Sequence, residues 1–318
     1  MNATITTAIF TAWAEALVSS KRLGSWGNEW AADCIAIAAS AARSEKRLRE
    51  ILALCDSLLR EENENSNSTY FAEKIAIIEL ELLGRCKAKA ERGAFVEAHL
   101  DFDKVRELAI REAIKAKDFK RGKALATEGI SKATQNERLG DIDNYRRLLV
   151  EAMDAEGIGP DASILVERWA IEGNYDSWFK ALKTRIPKNK WNETRDRVLT
   201  AIESRSDRSR LLASLYASER LFDKLMEHCE SNPREFIEYY PKLMKAYPGR
   251  VAPLLRDHIC RKAASDSNRS SYSETASLVA DYCKCAGDAA TATLIDELEA
   301  RHRSRPAMRE ELERVRPR

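Results

Sequence analysis

Residues 178–229 read WFKALKTRIPKNKWNETRDRVLTAIESRSDRSRLLASLYASERLFDKLMEHC, which is four short amphipathic segments separated by brief polar turns. Within each segment apolar residues recur at spacings of three and four, the pattern of one buried helix face. Bulky aromatic residues occur where paired helices would contact each other: Trp178, Phe179, Trp191, Tyr216 and Phe222. Because no helix this short buries its apolar stripe alone, the stretch predicts an array in which each helix packs on its sequence neighbours.

The rest of the chain continues this pattern. It has 318 residues with only 12 Gly and 8 Pro, and runs of β-branched residues are scarce, which argues against a sheet protein. Helix–turn–helix units recur about every 30–45 residues, the range of helical repeats. We therefore predict an all-α fold, a tetratricopeptide-like helical-repeat superhelix (α-solenoid) that forms one continuous array. Residues 118–318 are expected to be such repeats, and residues 1–117 either further repeats or a helical cap.

Composition indicates a cytoplasmic protein without a membrane partner. The seven cysteines are an odd number scattered through helical patterns, which favours free thiols in a reducing compartment. The first apolar segment contains Glu15 and lacks a preceding basic region, so it predicts a first helix rather than a signal peptide or a membrane span. The formal net charge is only +2, with both signs interspersed. The polar stretch at residues 62–69, ENENSNST, predicts an exposed loop.

Several motifs resemble the tetratricopeptide-like region that follows the zinc finger in prokaryotic SWIM zinc-finger proteins. They are DFKRGKALATEGI at 118–130, KNKWNETRDRVLTAI at 188–202, RLLASLYASERLFDKL at 210–225, YPKLMKAYPGRVAPLL at 240–255 and RHRSRPAMREELERV at 301–315. They follow the family's order along the chain. The resemblance implies a helical-repeat module without the zinc finger, because Cys283-Lys284-Cys285 has the first CxC spacing of that finger but no cysteine follows it. No zinc ligands are carried over.

A metal site is the first specific alternative that the sequence raises. Cys283, Cys285 and His302 offer thiolate and imidazole ligands, with Cys260 or His258 as a fourth. Residues two apart on a helix point to different sides, however, and tetrahedral zinc needs four converging ligands. We therefore predict no metal and no other cofactor.

Catalysis is the second alternative. His228 and Cys229 are neighbours, but adjacency in a helix points two side chains about 100° apart, so we expect a buried cysteine beside a surface histidine. The motifs of common nucleotide-binding, zinc-peptidase and serine-hydrolase sites are absent from the sequence. We predict that the protein is not an enzyme. Two carboxylate pairs are expected on solvated helix faces: Glu79 with Glu81, and Glu310 with Glu311.

Nucleic-acid binding is the third alternative. Residues 180–210 contain ten basic and four acidic side chains, a local charge of 10 − 4 = +6, with Trp178 and Trp191 beside or within the run. Such a surface suits phosphate contacts combined with base stacking. The competing interpretation places both tryptophans in the core and the charges on a solvated face. The candidate nucleic-acid surface comprises Lys180, Lys183, Lys188, Lys190, Arg195 and Arg197.

Protein or peptide binding is the function that the predicted architecture favours. Stacked helix pairs curve, and the first helix of each pair lines a concave groove that holds an extended peptide or a partner helix. The candidate groove residues are Arg146, Arg147, Asn174 and Asp176. The sequence thus predicts a non-catalytic scaffold that binds a protein or peptide, with a nucleic-acid-associated accessory protein as the alternative. It leaves the oligomeric state open.

Overall fold

A computed structural model describes residues 3–19, 24–65, 69–173, 176–205 and 207–317. These residues form eighteen α-helices, and no β-strand occurs among them. The prediction of an all-α fold is confirmed. The chain divides into two compact units, Met1–Ala162 and Ser163–Arg318. No helix of the described ranges combines the length and the apolar character needed to cross a bilayer.

The first unit consists of eight helices and the start of a ninth. Their bounds are α1 Ala3–Ser19, α2 Gly24–Ala41, α3 Glu45–Asn65, α4 Thr69–Arg85, α5 Lys89–Ala98, α6 Asp103–Lys115, α7 Phe119–Gln135, α8 Leu139–Glu156 and α9 Gly159–Glu172. The predicted loop at 62–69 is wrong in part, since α3 continues to Asn65 and residues 66–68 lie outside the described ranges. The boundary predicted between residues 117 and 118 falls between α6 and α7 and stays a prediction.

The second unit contains the end of α9 and nine further helices. Their bounds are α10 Ser177–Arg185, α11 Lys188–Glu203, α12 Ser209–Ser218, α13 Phe222–Ser231, α14 Pro233–Leu243, α15 Pro248–Ser265, α16 Arg269–Ala286, α17 Asp288–Arg301 and α18 Pro306–Glu313. The four amphipathic segments of residues 178–229 correspond to α10, α11, α12 and α13, so that prediction is confirmed.

Helices pack on their close neighbours along the chain. In the first unit α2 contacts α4, α4 contacts α6, and α6 contacts α8, in addition to the contacts between consecutive helices. In the second unit the same next-neighbour contact joins α12 with α14, α15 with α17 and α16 with α18. Among the described residues, every helix pair with more than marginal contact is adjacent in sequence or separated by one helix. Helices in these pairs therefore cover the apolar stripes of close neighbours.

Aromatic side chains fill the spaces between consecutive helices of the second unit. The ring centroids of Trp169 and Trp178 lie 5.0 Å apart, and those of Phe179 and Trp191 lie 5.2 Å apart in an edge-to-face arrangement. All four side chains are buried, as is Tyr216. The prediction that aromatic residues serve helix packing is confirmed for Trp178, Phe179, Trp191 and Tyr216, whereas Phe222 is half-buried. Aromatic pairs stabilise a core by about 0.5–1.5 kcal/mol beyond the area they bury.

One turn geometry recurs between helices. After α6, Lys117 has φ 61°, its N–H donates to Ile114 O at 3.0 Å, and the next N–H, of Asp118, donates to Ala113 O at 2.8 Å. These two bonds form a Schellman motif, which satisfies the last carbonyls of a helix. Asp118 then begins α7 by accepting the N–H of Arg121 at 3.1 Å. The same positive φ and the same pair of bonds recur at Lys87, Glu137, Gly157 and Arg220.

Replacing Lys117 with glycine is expected to stabilise the protein by about 0.5–1 kcal/mol. A side chain with a Cβ atom is strained at positive φ, and glycine is not. Lys115→Gly is the matched control, since Lys115 lies two residues earlier in the last turn of α6, and it should lower stability by a similar amount. Urea denaturation of the three proteins provides the measurement. A loss of stability in Lys117→Gly would contradict the positive φ.

Candidate partner-binding surface

An open groove lies over the outward face of α4, between α2 and α6. Its volume is about 340 Å³, and most of its exposed lining is apolar. The lining comprises Ala32, Asp33, Ala36, Tyr70, Glu73, Lys74, Ile77, Ile78 and Lys104. Because α2 contacts α4 and α4 contacts α6, the groove lies across three alternate helices of the first unit. We call it the α4 groove.

Large apolar side chains are exposed in and beside the α4 groove. Tyr70, a lining residue, is 57 % exposed. Trp30 and Ile37 are also exposed, at 49 % and 42 %. They are three and four residues from Asp33 on α2, so they lie on the same side of that helix as this lining residue. A cluster of exposed aromatic and aliphatic side chains beside a groove is a mark of an interaction surface.

Charged groups of both signs surround the groove and are paired with each other. Lys74 Nζ lies 3.8 Å from Asp33 Oδ1, so this pair joins α4 to α2. The backbone N–H of Lys104 donates to Glu73 Oε1 at 2.6 Å, which joins the start of α6 to α4. Lys104 Nζ also lies 3.2 Å from Glu107 Oε2. The groove thus has an apolar centre and a rim whose charges are largely balanced, the arrangement found in protein–protein interfaces.

Three of the four groove residues predicted from sequence lie within the described ranges. Arg146 and Arg147 are on α8, where Arg146 Nη1 lies 3.5 Å from Asp143 Oδ1. Asp176, in the second unit, accepts a 2.7 Å ion pair from Lys180, and Asn174 lies outside the described residues. Neither Arg146 nor Arg147 lines the α4 groove. A sequence signal for the groove did exist: YFAEKIAIIELELL, residues 70–83, has more apolar residues than one helix face can hold.

Most of the candidate nucleic-acid surface is neutralised by ion pairs. Lys188 and Lys190 are exposed, and within the described part of the chain neither forms an ion pair. The other four cations of the surface are each paired with a carboxylate, and three of these carboxylates lie outside residues 180–210. The local charge of +6 therefore overstates the positive charge that this surface presents. The remaining four cations are paired as follows: Lys180 with Asp176, Lys183 with Glu219, Arg195 with Asp196 and Arg197 with Glu167.

The two tryptophans of the basic run are packed inside the second unit. Trp178 is 4 % exposed and Trp191 is 8 % exposed. The indole N–H of Trp191 donates to Glu219 Oε2 at 2.9 Å. Stacking on a nucleic-acid base requires an open indole face, so neither ring offers such a platform in this conformation.

A serine, a histidine and a glutamate meet where α12, α13 and α14 join. Ser209 Oγ lies 3.1 Å from His228 Nε2, and Glu235 Oε2 lies 2.9 Å from the same nitrogen. A Ser–His–acid relay needs the nucleophile and the acid on opposite ring nitrogens, so this cluster lacks that geometry. It links three helices, and His228 is largely buried rather than on the surface as predicted.

The neighbouring Cys229 is unsuited to be a nucleophile. It is fully buried. Burial, with the nearby carboxylate of Glu235, raises the pKa of its thiol to about 11, so the reactive thiolate is disfavoured at neutral pH.

The candidate metal ligands do not form a cluster. Among the described residues, no three His, Cys, Asp or Glu side chains are placed to hold a metal ion. Cys283 and Cys285 lie two residues apart on α16, where the Cys283 thiol donates to Asp288 Oδ1 at 3.3 Å. His302 follows the last residue of α17.

The carboxylate pairs expected on solvated faces are each divided between surface and interior. Glu81 and Glu310 are exposed, but Glu79 and Glu311 are only 6 % and 5 % exposed. Glu311 is paired with Arg269 at 3.0 Å and with Arg314 at 2.7 Å. The prediction is therefore wrong for one member of each pair, because residues one or two apart on a helix point in different directions.

Compared with protein-family models, curated proteins and solved structures, the chain has no match. The resemblance to the helical region of SWIM zinc-finger proteins stays a prediction.

Proposed function

We propose that the protein is a non-catalytic scaffold of tetratricopeptide-like helical repeats, and that its α4 groove binds an amphipathic helix of a partner protein. The observation that carries the proposal is the groove itself, a mainly apolar surface formed by α2, α4 and α6 and flanked by exposed aromatic side chains. Two further features support a repeat architecture: the contacts between close neighbours and the recurring Schellman turns.

The spacing of the groove residues favours a helix as the occupant. Tyr70 and Ile77 both line the groove and are seven residues apart, which places them two turns apart on one side of α4. Trp30 and Ile37 repeat this spacing on α2. A third helix with apolar residues at positions i, i+3 or i+4, and i+7 has the matching period. Polar residues on its flanks would meet the charged rim.

Tyr70→Ala is expected to weaken partner binding by about tenfold or more, because exposed aromatic side chains are the usual anchors of such interfaces. The test is affinity capture from the native host, with and without nuclease, followed by mass spectrometry and by titration of the purified partner. Leu139→Ala is the matched control, since Leu139 on α8 is 65 % exposed and does not line the groove.

A single protein retained by the wild type and by Leu139→Ala, but lost with Tyr70→Ala, would support the proposal. Equal binding of that protein by both variants would exclude the α4 groove as its site. Capture that vanishes with nuclease would instead favour the nucleic-acid alternative. In that case Lys188→Glu with Lys190→Glu should abolish binding, because these are the exposed cations without an ion pair among the described residues of the predicted surface.

A further inference from the structure

A second cavity in the first unit lies between α3, α4 and α5. It is open to solvent and has a volume of about 520 Å³. Its walls are mainly apolar, and its ionisable lining residues are Arg49, Asp56, Glu79, Glu91 and His99. The apolar walls are formed by Leu52, Ala53, Leu83, Ala94, Phe95 and Ala98. A volume of this size is sufficient for a small organic molecule.

Glu79 is the unusual group in this cavity. It is only 6 % exposed, and its Oε2 atom is buried with no hydrogen-bond partner among the described residues. Burying a carboxyl oxygen without a partner is costly, and buried carboxylates are normally paired with a cation or a hydrogen-bond donor. The side chain lines the cavity, so a group bound there is within reach of it.

The arginines near the cavity are already engaged with other carboxylates. Arg49 Nη1 lies 2.6 Å from Glu91 Oε2 at the cavity rim, and Arg60 is ion-paired with Asp56 one turn earlier on α3. Neither guanidinium is paired with Glu79. The Asp56 carboxylate places a further negative charge near Glu79. The Arg60 guanidinium attracts the Glu79 carboxylate from a distance but is already paired with Asp56. The inner end of the cavity is thus acidic, and neither of these two arginines is left free to pair with Glu79.

The aromatic wall is fixed in place by a hydrogen bond. His99 Nδ1 lies 2.9 Å from the carbonyl oxygen of Phe95, to which it donates. The two rings are stacked with centroids 4.1 Å apart. An aromatic face beside an acidic group is a favourable surface for an organic cation.

We propose that this cavity binds a primary ammonium group carried on an apolar chain, with the ammonium at Glu79 and the chain along Leu52, Leu83 and Phe95. A metal ion would find too few ligands, because no cluster of three metal-binding side chains exists in the described part of the chain. An anion would meet the acidic end of the cavity. An uncharged apolar ligand would leave Glu79 without a partner.

The proposal is tested by calorimetric titration of the full-length protein with n-hexylamine at about pH 8, with 1-hexanol as the neutral probe of similar size. We expect saturable binding of the amine and at least about tenfold weaker binding of the alcohol, since charge-assisted hydrogen bonds are the stronger ones. Glu79→Gln should lower the affinity for the amine by about tenfold or more. Glu81→Gln, an exposed position on the same helix, should leave it unchanged.

Amine affinity should also fall between about pH 8 and pH 6, because burial and Asp56 raise the pKa of Glu79 to about 7 and only the ionised carboxylate attracts an ammonium. The other charged groups that face the cavity or act on Glu79 are Arg49, Asp56, Arg60, Glu91 and His99. All of them remain in Glu79→Gln, so any pH dependence of amine affinity that persists in this variant belongs to them.

Equal affinity for amine and alcohol, unchanged binding by Glu79→Gln, or no saturable binding would each overturn the proposal. Nα-acetyl-lysine methylamide keeps the side-chain ammonium and models a lysine of a protein. It therefore distinguishes a protein lysine from a free amine as the source of the ammonium group. Binding of this compound as tight as that of hexylamine would support the site and identify a protein lysine as its occupant. A clear preference for hexylamine would support the site with a free amine.

Discussion

Glu79→Gln is expected to make the protein about 2–3 kcal/mol more stable at pH 8. Burial, reinforced by the nearby carboxylate of Asp56, raises the pKa of Glu79 to about 7 from its ordinary value of 4.5. Above pH 7 the folded protein must hold this buried carboxylate ionised, with no hydrogen-bond partner for its Oε2 atom among the described residues, whereas the unfolded chain solvates it in water. Glutamine carries no charge and avoids that cost.

The direction of the Glu79 pKa shift determines how the free energy of unfolding depends on pH. A carboxyl whose pKa is raised by folding contributes stability that is fully present below the unfolded value and is lost as the pH rises through the folded value. The difference in the free energy of unfolding between Glu79→Gln and the wild type should therefore be smallest below about pH 4.5, grow between pH 4.5 and 7, and stay constant above pH 7.

Urea denaturation across this pH range measures that difference, and Glu81→Gln serves as the exposed control. A difference that does not change with pH would show that Glu79 titrates as a solvated carboxyl. The result is independent of amine binding, because the titrations contain no amine. A stability difference that is constant with pH would contradict the burial of Glu79. Failure of the calorimetric test alone would exclude amine binding without contradicting that burial.

Arg106→Ala is expected to destabilise the protein by about 3 kcal/mol. The Arg106 side chain is 2 % exposed, the largest of the fully buried side chains. Its Nε donates to Leu100 O at 2.9 Å, its Nη1 to Leu125 O at 3.4 Å and its Nη2 to Glu128 Oε1 at 3.2 Å. One guanidinium thus ties the turn before α6 to α7. Alanine would leave two carbonyl groups without this donor and a cavity in place of the side chain.

Two further variants separate the geometry of Arg106 from its charge. Arg106→Lys keeps the charge but lacks the planar fork that reaches three acceptors, so it should lose about 2 kcal/mol. Arg111→Ala, which removes a half-exposed arginine from the same helix, should cost less than about 1 kcal/mol. Urea denaturation provides all three values. A loss below about 1 kcal/mol for Arg106→Ala would be incompatible with its buried hydrogen bonds.

The helical architecture was predictable because it depends on local periodicity. The spacing of apolar residues in 178–229 located four helices, and four of the five aromatic residues predicted to pack between them are buried. Glycine at position 157 is a residue type that suits the positive φ of its turn. The equivalent turns at Lys117 and Glu137 were not predictable, because their residue types give no sign of a left-handed conformation.

The charged surfaces were predicted less well, because ion pairs join residues that are distant in sequence. Lys183 is neutralised by Glu219, 36 positions later, and Arg197 by Glu167, 30 positions earlier. A charge count over a short window misses both partners. Glu79 was misassigned for a related reason: its burial depends on how α3 and α5 pack beside α4, which a helical pattern alone does not specify.

The restriction of helix contacts to close neighbours has a consequence for how each unit acquires its structure. Contacts between residues near in sequence close short loops, and short loops cost little chain entropy. A helix pair can therefore form and then serve as the template for the next helix, without a prior meeting of distant segments. The recurring Schellman turns favour this stepwise packing, because each one ends a helix and reverses the direction of the chain. In such an architecture the core can be extended one helix at a time, in the order of the helices along the chain.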